Sequence, residues 1–210
     1  MKLNQKIVIV DYGVGNIYSV SNAIKFLGYT NLKISDKESD LKTSDVLILP
    51  GVGAFDEAMR NIKSRNLDNI LNEIVLVDKK PILGICVGMQ LLAQGSEENG
   101  WHDGLNWIKG KVKKLELFHT YPVPHVGWNN IIIKNQTPLF TNQKNTTPHF
   151  YFDHSFYFET DDKYVSSYCD YGINVTASVQ HNNIFGVQFH PEKSQNNGLK
   201  LFRSFFNSIQ

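Results

Sequence analysis

The sequence holds two thiols, Cys86 and Cys169. Each is either a buried filler or a nucleophile, and the surrounding residues decide between these. Cys86 lies in Gly84-Ile85-Cys86-Val87-Gly88, with an apolar run before it and a helical pattern after it. That is the spacing of a nucleophile elbow, a sharp strand-to-helix turn that needs small flanking residues and lifts the nucleophile above a sheet. The following helix N-terminus favours the thiolate. In isolation the same five residues also suit a structural cysteine between two loop glycines. A nucleophilic thiol needs a base, and the base needs an orienting partner. Of seven histidines, His190 in Gly186-Val187-Gln188-Phe189-His190-Pro191-Glu192 ends an apolar run. Glu192, two residues on, can return to the imidazole and hold its tautomer. Alone, this pair reads sooner as a surface histidine at a strand end beside an unrelated glutamate; it is the elbow that turns it toward a base and its partner. Acyl transfer also needs donors for an oxyanion. Pro50-Gly51-Val52-Gly53 closes another apolar run, and its glycines let backbone N–H groups of Gly51, Val52 and Gly53 turn toward a ligand. The N–H of Val87 is a second candidate donor.

These groups meet only if their strands run side by side in the same direction. The first half of the chain has that pattern. Residues 7–10 and 46–49 are short continuous apolar runs, as in strands buried on both faces, and 45–49 and 81–85 read as the second and third such strands. Residues 17–27, 54–62, 67–77 and 87–93 have helical spacing, and Gly28 closes the first helix. Alternating strands and helices predict a parallel sheet covered on both faces, with its functional edge at the strands' C-terminal ends. The second half changes character. Segments 112–118, 128–133, 150–158, 164–169, 175–180 and 184–189 read as strands with short links, hence as antiparallel additions. A helix over 198–209 closes the chain, and 142–148 reads as a polar loop. No repeat, low-complexity tract or linker divides the sequence, so 1–210 is expected to be a single domain.

Bulk properties narrow the class. The chain has 210 residues, 41% of them hydrophobic, and a formal net charge of +1. That balance gives no general affinity for nucleic acid or anionic membrane. The apolar runs are strand-sized, too short to span a bilayer. Residues 1–6 lack the layout of a signal peptide. Two cysteines make no disulfide framework, no CxxC pair exists for zinc, and no HExxH is present. A reducing cytoplasm and a metal-free site are the expectation.

GICVGMQ at 84–90 and GVQFHPEKS at 186–194 resemble the two hallmark segments of class I, triad-type glutamine amidotransferases. DYGVGN at 11–16, PGVGAF at 50–55, PHVGWN at 124–129 and YFDHSF at 151–156 resemble, within that superfamily, the glutaminase subunit of imidazole glycerol phosphate synthase. The resemblance runs in order along essentially the whole chain. It implies a flavodoxin-like three-layer α/β fold with a mainly parallel central sheet. It also implies a Cys86–His190–Glu192 triad that forms a γ-glutamyl thioester, releases ammonia and then glutamate, and uses no cofactor. Gln90, Glu98, His154 and Ser155 match glutamine-holding positions, Glu98 suiting the α-ammonium. The family's glutaminase docks as a heterodimer on a (β/α)8-barrel synthase that makes imidazole glycerol phosphate and AICAR in histidine biosynthesis. Asn16, Tyr151 and Lys193 match positions at that interface or its ammonia gate. Trp128 matches an interface aromatic, although its strand context suits a core residue equally. Asp153 stands where an apolar residue is usual and Phe156 where tyrosine is usual. Both departures fall near the ammonia exit, so a paralogue that supplies ammonia for sugar amidination in surface-polysaccharide synthesis is the second expectation. A Cys–His–Glu hydrolase of peptidase type is the third.

Overall fold

In the computed structural model, residues 3–117, 121–135, 137–143 and 147–209 are described. The predicted strand end at Phe118, His119, and residues 144–146 of the predicted loop lie outside them. In chain order the elements are β1 (Ile7–Val10), α1 (Ile17–Phe26), β2 (Leu32–Ser35), α2 (Glu38–Lys42), β3 (Val46–Leu49), α3 (Phe55–Ser64), α4 (Leu67–Asn72), β4 (Ile82–Ile85) and α5 (Val87–Gln90). They continue with β5 (Gly95–Ser96), β6 (His102–Asp103), β7 (Gly110–Lys114), β8 (His125–Asn130), β9 (Ile132–Ile133), β10 (His149–His154) and β11 (Phe156–Thr160). The last are β12 (Val165–Asp170), β13 (Asn174–His181), β14 (Ile184–Val187) and α6 (Gln195–Ser208).

The main sheet has the order β2-β1-β3-β4-β14-β13-β12-β9. Strands β2, β1, β3, β4 and β14 are mutually parallel, and β13, β12 and β9 add on antiparallel. Every residue of β1, β3, β4 and β14 is buried. Each fully buried Val, Ile or Leu there stabilises the fold by about 2 kcal/mol relative to exposure. The β1–α1–β2 crossover runs toward one edge of the sheet and β3–α3–α4–β4 toward the other. With right-handed crossovers, α1 lies on one face and α3 with α4 on the opposite face. Helix α6 touches α1, and α5 touches α3. The expected mainly parallel α/β sheet with antiparallel additions is therefore present. Among the described residues no helix is long and apolar enough to cross a membrane.

Several predicted elements are cut differently. The expected helix 87–93 is a single turn, α5. The carbonyls of Leu91, Leu92 and Ala93 accept instead from Leu105, Trp107, Ile108 and Asn106, so the chain leaves the helical path. The expected helix 67–77 is α-helical to Asn72 and a π-helix over Glu73–Val77. The expected strand 150–158 is two strands in two different sheets, broken at Ser155: β10 pairs with β8, and β11 with β7. The expected strand 128–133 divides in the same way into β8 and β9. Strands β5 and β6 and helix α2 are too short to carry a periodic signal, and the edge strand β2 is only partly buried and mixes Lys33 and Ser35 with Leu32 and Ile34, so it is no continuous apolar run.

Candidate active site

The site forms where strands β3, β4 and β14 end side by side. Register pairs Leu49 with Gly84 and Gly84 with Gly186, so the Pro50 segment, Cys86 and His190 leave the sheet at one edge. Cys86 occupies φ 54°, ψ −113°, a strained conformation for a residue with a side chain. Its N–H donates to Val187 O at 2.8 Å, and its carbonyl accepts from Met89 and Gln90, which fixes the turn from both sides. The flanking glycines are required by close backbone approach. A Cβ on Gly88 would stand 1.8 Å from Leu49 O, and one on Gly84 2.5 Å from Gly88 O. The local backbone is thus that of the predicted elbow.

His190 and Glu192 are almost wholly buried, and His190 Nδ1 lies 2.8 Å from Glu192 Oε1. This bond leaves Nε2 as the ring nitrogen available to Cys86, whose charge acts on the imidazole. Burial opposes the imidazolium, but the Cys86 thiolate and then Glu192 outweigh it and raise the His190 pKa to about 10. Two further contacts brace the histidine turn: His190 N–H donates to Tyr151 O at 2.8 Å, and Ser194 Oγ donates to His190 O at 2.6 Å. Ser194 Oγ also accepts from Tyr151 N–H at 3.0 Å. Asn16, expected at the interface or gate, directs its amide N–H to Glu192 Oε1.

A cavity of about 290 Å³ opens over these groups. Of the predicted site residues, Val52, Gly53, Cys86, Val87, Gln90, Glu98, His154, Ser155 and His190 line it together, with Pro124, Asp153 and Phe156. Tyr12, deeply buried, donates its hydroxyl to Pro50 O at 2.5 Å, and a Cβ on Gly51 would meet that hydroxyl at 2.6 Å. Burial and then the Cys86 charge push the Tyr12 phenol well above its ordinary range, which keeps it a neutral donor. Gln90 Nε2 donates to Phe156 O at 3.0 Å and to Gln188 Oε1 at 3.1 Å. Glu98 accepts the N–H of Phe55 through Oε2 at 2.9 Å, at the start of α3, where the helix dipole favours a carboxylate. His154 turns both ring nitrogens inward, Nδ1 donating to Phe156 O at 2.9 Å and Nε2 lying 3.1 Å from His125 Nδ1. Burial holds the His154 pKa down at about 3 and that of His125 at about 4, so both rings are neutral.

The remaining predicted residues form an outer cluster. Trp128 is 44% exposed and therefore not a core residue. It meets Tyr151 edge-on with ring centroids 6.2 Å apart. Lys193 Nζ lies 5.2 Å from the centre of the Tyr151 ring and 4.0 Å from Asp153 Oδ2. Asp153 links this cluster to the site, because its backbone O is 3.9 Å from Cys86 Sγ. Gln188 was not singled out from the sequence, yet its Nε2 stands 3.7 Å from the same sulfur. A polar residue inside an apolar run that ends at the candidate base was the available signal. Cys169 is fully buried, and burial and then Asp170 raise its pKa to about 12, which disfavours its thiolate.

A model of the class-I glutamine amidotransferase domain matches residues 8–209. The chain belongs to that family. Proteins similar to it include imidazole glycerol phosphate synthase subunit HisH 2 of Vibrio vulnificus, 46% identical over 98% of this chain and 95% of that protein. Subunit HisH 1 of Campylobacter jejuni is 47% identical over 95% of this chain and 98% of its own length. Subunit HisH of Leptospira interrogans is 45% identical over 94% and 97%. Among solved structures, a putative GMP synthase subunit from Thermoplasma acidophilum superposes with a TM-score of 0.74 over 98% of this chain and 94% of that one. At 22% identity it supports the amidotransferase fold alone.

Proposed function

We propose that this class-I amidotransferase is the glutaminase subunit of an imidazole glycerol phosphate synthase, hydrolysing glutamine to glutamate and ammonia. The observation that carries the chemistry is the juxtaposition in one cavity of a thiol on a strained elbow and an imidazole whose Nδ1 is held by a buried carboxylate. In this reading the Cys86 thiolate attacks the glutamine side-chain carbonyl. Backbone N–H groups of Val87 and of the Gly51–Gly53 segment stabilise the oxyanion. The His190 imidazolium gives its proton to the departing nitrogen, which leaves as ammonia, and a γ-glutamyl thioester remains. Water, deprotonated by His190, then releases glutamate and restores the thiol. Glu98 takes the α-ammonium with the oxygen not used by Phe55. Gln90 lines the substrate with its carbonyl end, since its N–H groups are committed. His154 acts by shaping the wall, and Ser155, at the break between β10 and β11, by presenting backbone.

The ammonia passes to a (β/α)8-barrel synthase subunit docked on the face bearing Trp128, Tyr151 and Lys193, in a cytoplasmic heterodimer. The relatives named above are subunits of imidazole glycerol phosphate synthase, which favours histidine biosynthesis over the sugar-amidination pathway. The test is Cys86→Ala in the assembled complex. Glutamine-dependent synthesis of imidazole glycerol phosphate should vanish while ammonia-dependent synthesis continues. Survival of glutamine-dependent turnover would overturn the mechanism, and failure of the complex to cyclise the imidazole precursor would overturn the pathway.

A further inference from the structure

Glu192 is a buried carboxylate with an incomplete set of donors. Its Oε1 accepts from His190 Nδ1 at 2.8 Å and from the Asn16 amide, while its Oε2 is buried without a hydrogen-bond partner among the described residues. A buried carboxylate stays charged only while donors offset its lost hydration. One of its two donors is the base it serves. Among the described residues, the Asn16 amide is the other side-chain donor to the carboxylate.

Asn16 is placed at the cost of its usual task. It is the residue before α1, a position where asparagine normally caps the helix through its side chain. Here it makes no side-chain cap bond and instead reaches a residue 176 positions away. Its φ of 73° is a left-handed conformation that asparagine tolerates better than most residues. An amide also suits the task chemically. Unlike Lys or Arg it adds no charge, so the whole carboxylate charge remains directed at His190.

We propose that Asn16 is a positioning residue of the catalytic machinery, holding the Glu192 carboxylate in place against His190 Nδ1 so that the imidazole keeps its orientation toward Cys86. The inference rests on the triad reading above. The charged and titratable groups around the imidazole are Cys86 from the elbow, Glu192 from its own turn, and His154 from the ribbon, with His125 behind it. Lys193 and Asp153 lie on the outer side of that ribbon.

The test uses Asn16→Gly, which removes the amide but accepts positive φ without strain. Glu192→Gln and the double variant accompany it. The readouts are the pH profile of Cys86 alkylation by iodoacetamide in the whole glutaminase chain, and kcat and KM for glutamine in the complex. At pH 6, alkylation in Asn16→Gly should fall about tenfold, the scale of one charge-assisted hydrogen bond, and its profile should move to higher pH. The loss should appear in kcat with KM nearly unchanged. The double variant should be no slower than Glu192→Gln alone, because Asn16 acts through that carboxylate. A wild-type pH profile in Asn16→Gly, with Glu192→Gln impaired, overturns the role of Asn16 alone. Losses that multiply in the double variant also overturn it. A Glu192→Gln variant that behaves as wild type overturns the triad reading beneath it.

Discussion

At the scale of single residues, Cys86 keeps its strained backbone only because its neighbours leave no other path. Gly88 shows the constraint most sharply, since even a methyl group would run into Leu49 O. Gly88→Ala should destabilise the protein by about 2–4 kcal/mol, as overpacking against an immobile backbone does, and should remove glutaminase activity. Urea unfolding gives the first quantity; an unchanged midpoint would mean that the elbow relaxes freely. The charge on His190 has its own pH signature. Its pKa is raised in the folded state, so the associated stability is complete below its unfolded value near 6.5, fades as pH rises, and is gone above about 10. The excess stability of the protein over Glu192→Gln should shrink along that window, and a constant difference from pH 6 to pH 10 would contradict it. Cys86, His190 and Glu192 were legible because their types and spacing are tied to apolar runs. Gln188, Ser194 and Tyr12 were not, because one buried hydrogen bond leaves no periodic trace in a sequence.

At the scale of elements, the two halves of the sheet differ in how plainly they are written. Strands β1, β3, β4 and β14 bury both faces, so each is a continuous apolar run that stands out from its surroundings. The 150–158 segment has no glycine or proline to mark its break, and its aromatics suit a strand throughout. Tertiary pairing cuts it at Ser155, which brings Ser155 and His154 to the cavity wall. The resulting β8–β10 ribbon alternates strictly, with Phe150, Phe152 and His154 inside and His149 and Asp153 outside. His125 stacks on Phe152 at 4.7 Å and on Tyr171 at 3.8 Å beneath it, and its contact with His154 requires one of the two facing nitrogens to be unprotonated. Both pKa values are depressed, to about 4 and about 3. The unfolded chain therefore binds more protons than the folded one below pH 6.5, and stability must fall as pH drops toward 4. Each histidine contributes a slope of up to about 1.4 kcal/mol per pH unit. Urea unfolding of His125→Gln across pH 4–7 should give a flatter acid limb; an equally steep limb would place the acid sensitivity elsewhere.

At the scale of the whole molecule, five parallel strands in the order β2-β1-β3-β4-β14 deliver three separate loops to one edge, as open α/β sheets do for ligands. The same edge carries the ribbon, whose backbone touches His190 and Cys86 while alternate side chains, His149 and Asp153 among them, face outward. Tyr151 is the hinge point of this arrangement. Its backbone N–H and C=O bind Ser194 and His190, and its ring lies between Trp128 and Lys193. A partner docked over Trp128 would therefore press on the strand that holds His190 in place. Exposed tryptophans that become buried in an interface are frequent energetic anchors, and truncating one typically costs about 2 kcal/mol or more. Trp128→Ala should weaken binding of the barrel synthase roughly 30-fold, measurable by calorimetry. Without the partner, iodoacetamide alkylation of Cys86 should keep its normal rate in this variant, because no triad contact involves the indole. Unaltered affinity would remove this face from the interface and with it the mechanical link from partner to triad. Lost affinity together with altered alkylation would mean that Trp128 supports the ribbon itself.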